Sequence, residues 1–99
     1  MNSSIIQKRK NFIIFKTVDG VILCNETIEG FAHTHLKNVK TANRLIDLSL
    51  EKKLPHDIPR YLLISLIRIN SDERYISKAN ELLENKKKKD KYINKRKIK

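Results

Sequence analysis

The chain has no tryptophan, two glycines, two prolines and one cysteine among its 99 residues. Each shortage excludes something. Gly20 and Gly30 cannot form the glycine-rich loop that cradles phosphates in a Walker or dinucleotide-binding site. A lone Cys24 makes no internal disulfide and no Cys-based zinc site by itself, which suits a reducing compartment. Set in an apolar run, it reads as a small buried hydrophobe. With no Trp, three Phe and three Tyr, the stacking platforms of single-strand binders are scarce. No stretch approaches the ~18 to 20 apolar residues that span a bilayer, so membrane insertion is not expected. Met1-Asn2-Ser3-Ser4-Ile5-Ile6 lacks the charged-then-apolar order of a signal peptide, so a cytoplasmic protein is expected. No Ser-His-Asp set and no pair of catalytic carboxylates is visible, so neither an enzyme nor a cofactor is expected.

What is present is positive charge, and it is uneven. The formal net charge is +11. Residues 86–99 hold nine Lys or Arg and one acid, Asp90, for +8, and Lys8-Arg9-Lys10 add +3. Residues 11–85 hold ten basic and ten acidic residues and sum to zero. The chain therefore divides into a basic N-terminal arm (1–10), a single globular domain (11–85) and a lysine-rich tail (86–99). The sequence has 16 Lys, 14 Ile and 9 Asn against 6 Arg. These residues have adenine- and thymine-rich codons, a flavour that suits a phage or other mobile element of a low-GC bacterium. Base composition explains abundant lysine, but not a balanced middle between basic ends.

The domain reads as α+β: an antiparallel β-hairpin, with room for a third strand, packed against three helices. Phe12–Val18 and Val21–Cys24 are β-branched and aromatic. Asp19-Gly20 between them signals a two-residue turn with glycine at positive φ, which pairs Val18 with Val21, Lys16 with Leu23 and Ile14 with Asn25. Both faces of this hairpin are apolar. Phe31–Leu36 reads as a third short strand or an ordered loop. Asn38 or Thr41 caps a helix to about Lys53, ended by Leu54-Pro55. Asp57 caps a second helix with Pro59 in its first turn. Tyr61–Ile69 is apolar nearly all round, the pattern of a buried helix. Ser71 or Asp72 caps a third, whose inner stripe is Tyr75, Ile76, Ala79, Leu82 and Leu83. An Arg68–Asp72 pair is expected at i, i+4.

Three features could carry chemistry. The first is the tail, with Lys86, Lys87, Lys88, Lys89, Lys91, Lys95, Arg96 and Lys97. Crowded ammonium groups repel each other and gain by displacing counterions from a phosphate backbone. Lysine is a point charge, so such contacts position more than they specify. Lys8, Arg9 and Lys10 offer a second contact if the fold brings both ends to one face. The second feature is Lys37, Lys40 and Arg44, which share a helix side beside Asn43. In the plainer reading this is a solvated face balanced by Asp47 and Glu51. The third is His33-Thr34-His35, where alternate residues face one side of a strand and offer two imidazoles to a metal. An open site needs three ligands, and His56 is the only other histidine; the plainer reading is a loop contact for one ring and exposure for the other.

The function these features suggest is a small, non-enzymatic nucleic-acid-binding accessory protein, for DNA or RNA, working through basic termini. The alternative is a protein-interaction module or inhibitor, encoded by a phage or other mobile element, that binds a larger host nucleic-acid-processing complex. A metal site at His33 and His35 is third. Helix-turn-helix is disfavoured, because a recognition helix needs polar side chains and Tyr61–Ile69 has few.

Overall fold

The computed structural model describes the backbone of residues 5–30 and 32–98, and side chains as far as residue 88. The element order is β1 (Ile5–Arg9), β2 (Phe12–Lys16), β3 (Val21–Asn25), β4 (His33–Leu36), α1 (Val39–Glu51), α2 (Arg60–Arg68) and α3 (Glu73–Ile98). The strands form one antiparallel sheet in the order β1-β2-β3-β4. Because β-residues alternate faces, Phe12, Ile14, Val21, Leu23 and Leu36 point to one side. There they join Leu45, Ile46, Leu62, Leu63 and Leu66 of the helices in a single core. The architecture is the expected α+β, with α1 and α2 against one sheet face and α3 against α2.

The sheet has four strands, one more than the sequence suggested. The extra one is the stretch expected to be a basic arm. A bulge at Ile6 explains how it fits: Ile5 pairs with Phe15 and Gln7 with Ile14, so one residue of β1 is unpaired. A bulge re-aims the side chains that follow it. Past Ile6, Gln7 and Arg9 share the helix-facing side with Ile14 and Phe12, while Lys8 joins Ile13 on the opposite face. A regular strand starting from Ile5 would have placed them the other way round. Asn43 of α1 receives this strand. Its amide donates to Gln7 (2.9 Å) and its oxygen accepts from Arg9 (2.9 Å), whose second nitrogen reaches Asp47 at 2.6 Å.

The β2–β3 hairpin forms with another register. Lys16 opposes Val21, Ile14 opposes Leu23 and Phe12 opposes Asn25. The connection is therefore residues 17–20, closed by the Thr17 N–H to the Gly20 carbonyl at 2.9 Å. Val18 stands fully in solvent. Each partner has moved by two residues, an even number, so every side chain keeps the face first assigned to it. Gly20 does not take positive φ. It is needed for close approach, because a Cβ there would lie 2.3 Å from the Leu36 carbonyl oxygen.

The helices begin largely as expected. Asn38 caps α1 by accepting from the Thr41 N–H at 2.8 Å. Asp72 caps α3, accepting from the N–H groups of Arg74 (3.0 Å) and Tyr75 (3.2 Å). Pro59, rather than Asp57, stands at the N-cap of α2, without a side-chain bond. Asp72 pairs with Lys52 at 3.1 Å, not with Arg68. Lys52 lies just beyond α1 in the left-handed region (φ 57), and this turn carries it toward α3. The third helix continues through the lysine tail to Ile98.

Candidate nucleic-acid interface

The expected binding residues fall into three groups. The N-terminal cations are largely engaged within the fold. Lys8 pairs with Glu26 at 3.1 Å, across the outer sheet face. Arg9 is held by Asn43 and Asp47, as described. Lys10 occupies the β1–β2 turn at φ 55, with its side chain exposed.

The helical cations of α1 are different. Lys37, just before the helix, and Lys40 and Arg44 on it are exposed and have no carboxylate partner among the described residues. The acids thought to balance them are used elsewhere: Asp47 by Arg9 and Glu51 by Lys53 at 3.3 Å. Asn43 is occupied by β1 and is not an accessory ligand on this face.

Of the tail, Lys86 donates to the His56 carbonyl at 2.7 Å and Lys87 lies 3.8 Å from Glu84, one turn back. Lys88 is exposed. The backbone at Lys89, Lys91, Lys95, Arg96 and Lys97 is helical, and their side chains lie outside the described residues.

Two hollows bring the α1 end and the tail together. One, of about 460 Å³, lies at the start of α1, lined by Gly20, His35, Lys37, Asn38, Thr41 and Tyr61 among others. The second, of about 360 Å³, lies between α2 and α3, walled by Arg60, Tyr61, Ile64, Leu83 and Lys87. Tyr61 belongs to both. Its side chain is 64% exposed and Ile64, one turn on, is 40% exposed. The sequence reading missed this, because it took α2 as buried all round. The phase was nevertheless present: Leu62, Leu63, Leu66 and Ile69 form the buried stripe, which leaves Tyr61, Ile64 and Arg68 opposite at spacings of three and four.

The histidine pair faces as expected. His33 and His35 project from the outer sheet face with ring centroids 5.5 Å apart, edge to face. His33 is paired with Cys24 and His35 with Ile22 on the neighbouring strand. Burial, then the nearby Glu26 charge, pushes the Cys24 thiol upward, which disfavours the thiolate a metal takes. No group of three His, Cys, Asp or Glu converges among the described residues. His56 sits instead in the turn between α1 and α2, and its carbonyl accepts from Lys86.

No helix among the described residues is long and apolar enough to cross a membrane. Comparison with protein-family models, curated proteins and solved structures found no match for this chain.

Proposed function

We propose that this protein is a nucleic-acid-binding accessory protein whose contact surface runs from the start of α1, past Tyr61, to the lysine-rich end of α3. The reading is supported by one observation above the others. The two hollows that meet at Tyr61 are bordered by Lys37 at one end and by Arg60 and Lys87 at the other. Lys40 and Arg44 extend the first end along α1, and the tail extends the second. This joins two of the three basic groups. Arg9 belongs to the fold instead, because its guanidinium fastens β1 to α1.

Binding through ammonium groups releases counterions, so it weakens steeply with salt. The test is a titration of the full chain with DNA and RNA oligonucleotides at several salt concentrations. Replacing Lys37, Lys40 and Arg44 together by Gln removes three phosphate contacts. On a single strand the slope of log affinity against log salt then flattens by about 2. Binding that does not respond to salt, or a slope unmoved by the triple substitution, counts against the proposal.

A second reading, a protein-interaction module, is favoured by the outer sheet face. There Ile5, Phe15 and Ile22 form a row across three strands ending at His35, and Ile5 is 56% exposed. Capture of a host protein that survives nuclease treatment and is lost in Ile5→Lys separates this reading from the first.

A further inference from the structure

We infer that the paired hollow around Tyr61 is a subsite for one unpaired base of a single-stranded nucleic acid, the Tyr61 ring stacking on the base while Lys37 and Lys87 hold the flanking phosphates. The inference rests on the polyanion reading above and adds to it a ligand class and a recognition mode.

The chemistry of the lining argues for a base and not for phosphate alone. The α2–α3 hollow has apolar walls in Ile64 and Leu83, an aromatic wall in Tyr61 and cations at its border in Arg60 and Lys87. A phosphate gains nothing from Ile64 and Leu83. A base has an apolar π-face that does, and aromatic stacking is tolerant of sequence. Tyr61 and Ile64 also lie one helical turn apart, so their exposed surfaces adjoin on α2.

The same lining argues against a duplex. Paired bases are stacked on one another, and their faces are closed to a protein ring. A duplex would meet Lys37 and Lys87 only through its backbone and leave Tyr61 and Ile64 in water. A single strand satisfies both kinds of group, with a base splayed into the hollow and phosphates to either side. Two carboxylates stand nearby. Asp19 lines the first hollow, and Glu84 lies 3.8 Å from the Lys87 ammonium. The Lys87–Glu84 pair is solvent-exposed on both sides. Such pairs hold weakly, so an incoming phosphate displaces Glu84 at little cost.

Absence of tryptophan from the chain supplies the probe. Tyr61→Trp places a single indole in the hollow, and its fluorescence reports stacking directly. The ligands are a homopolymeric single strand, a duplex of equal length and an abasic strand with the same phosphates and no bases. The single strand quenches the indole, while the abasic strand and the duplex do not. Tyr61→Ala loses roughly 5- to 150-fold in single-strand affinity, keeps its affinity for the abasic strand and folds as before, because the side chain is exposed. Tyr61→Phe retains binding. If Tyr61→Ala binds the single strand as the parent does, or the indole is not quenched, the stacking subsite is overturned while salt-dependent polyanion binding stands. If none of the three ligands binds at any salt concentration, the reading beneath it falls too.

Discussion

Arg9 of β1 and Asp47 of α1, 38 residues apart in sequence, meet at 2.6 Å. The same guanidinium donates to Asn43 at 2.9 Å. This two-pronged contact fastens the edge strand to the first helix, and it exists because the bulge at Ile6 turns Arg9 inward. Asp47 is half-exposed, so the ion pair alone contributes less than about 1 kcal/mol. The bond to Asn43 is more sheltered. Arg9→Ala should therefore lower stability by about 1–2 kcal/mol in urea denaturation, with the slope against urea unchanged. Arg9→Lys should not restore it, since one ammonium cannot span both acceptors as a planar fork does. Nucleic-acid affinity should barely move. A large affinity loss without a stability loss would return Arg9 to the binding surface.

Gly20 and Gly30 invite a paired test, since only one of them is crowded. A Cβ on Gly20 would lie 2.3 Å from the Leu36 carbonyl oxygen, a backbone atom that cannot swing aside as a side chain does. Gly20→Ala must push the 17–20 loop off the end of β4, at about 1–3 kcal/mol. Gly30 has φ 85 and nothing within 4 Å of its Cβ position. Gly30→Ala then costs only left-handed backbone strain, about 1–2 kcal/mol. The two separate by structure rather than by size of effect. Amide exchange at the end of β4 should accelerate in Gly20→Ala and stay unchanged in Gly30→Ala. Equal protection of β4 in both variants would show that the close approach is relieved elsewhere.

The helices and the central hairpin were legible because their signals are local. Apolar spacing, Asn38, Asp72 and the proline breaks each act within a few residues. The hairpin register was misread because Asp19-Gly20 is a strong two-residue turn signal, yet Leu36, a residue from another strand, closes against Gly20 and favours a wider loop. β1 was hidden for a similar reason. Only Ile5 and Ile6 of its five residues are apolar, and the bulge between Ile5 and Gln7 breaks the alternation by which a strand is recognised. Its partners, Asn43 and Asp47, lie on a helix whose facing direction the sequence alone does not fix. The same limit applied to the candidate site. Lys37, Lys40, Arg44 and the lysine tail could be picked out by charge, but Tyr61, which joins them, looked like core until the buried phase of α2 was known.

Tyr75 ties α3 to the end of α1, its hydroxyl donating to the Lys53 carbonyl at 2.8 Å, with the Leu48 carbonyl at 3.4 Å. Burial pushes its pKa up to about 12, against about 10 for an exposed phenol. Between these values the unfolded chain has released the proton and the folded chain still holds it. The linked stability is fully present below pH ~10 and is lost as the pH rises through about 12. Tyrosinate absorbance should show a late step near pH 12 in the native protein, absent from Tyr75→Phe. That variant should also lose about 1 kcal/mol at neutral pH. A phenol that ionises with the unfolded chain near pH 10 would mean the α1–α3 junction opens without global unfolding.

Thr34 of β4 and Ser65 of α2 are both buried, and their hydroxyl oxygens lie 2.6 Å apart, one donating to the other. They make a polar contact between sheet and second helix inside an apolar core. A pair of this kind adds little net stability, because each hydroxyl gives up water to make the bond. Removing one partner is different, since the survivor stays dehydrated and unpaired. Thr34→Val preserves shape and should cost about 1–3 kcal/mol, and Ser65→Ala a comparable amount. The double variant removes the orphan as well as the bond, so it should be more stable than the less stable single variant and well short of the sum of the two losses. A coupling energy of about 1 kcal/mol or more in the double-mutant cycle is expected for residues in contact. Strict additivity would show that each hydroxyl finds another partner in the folded state.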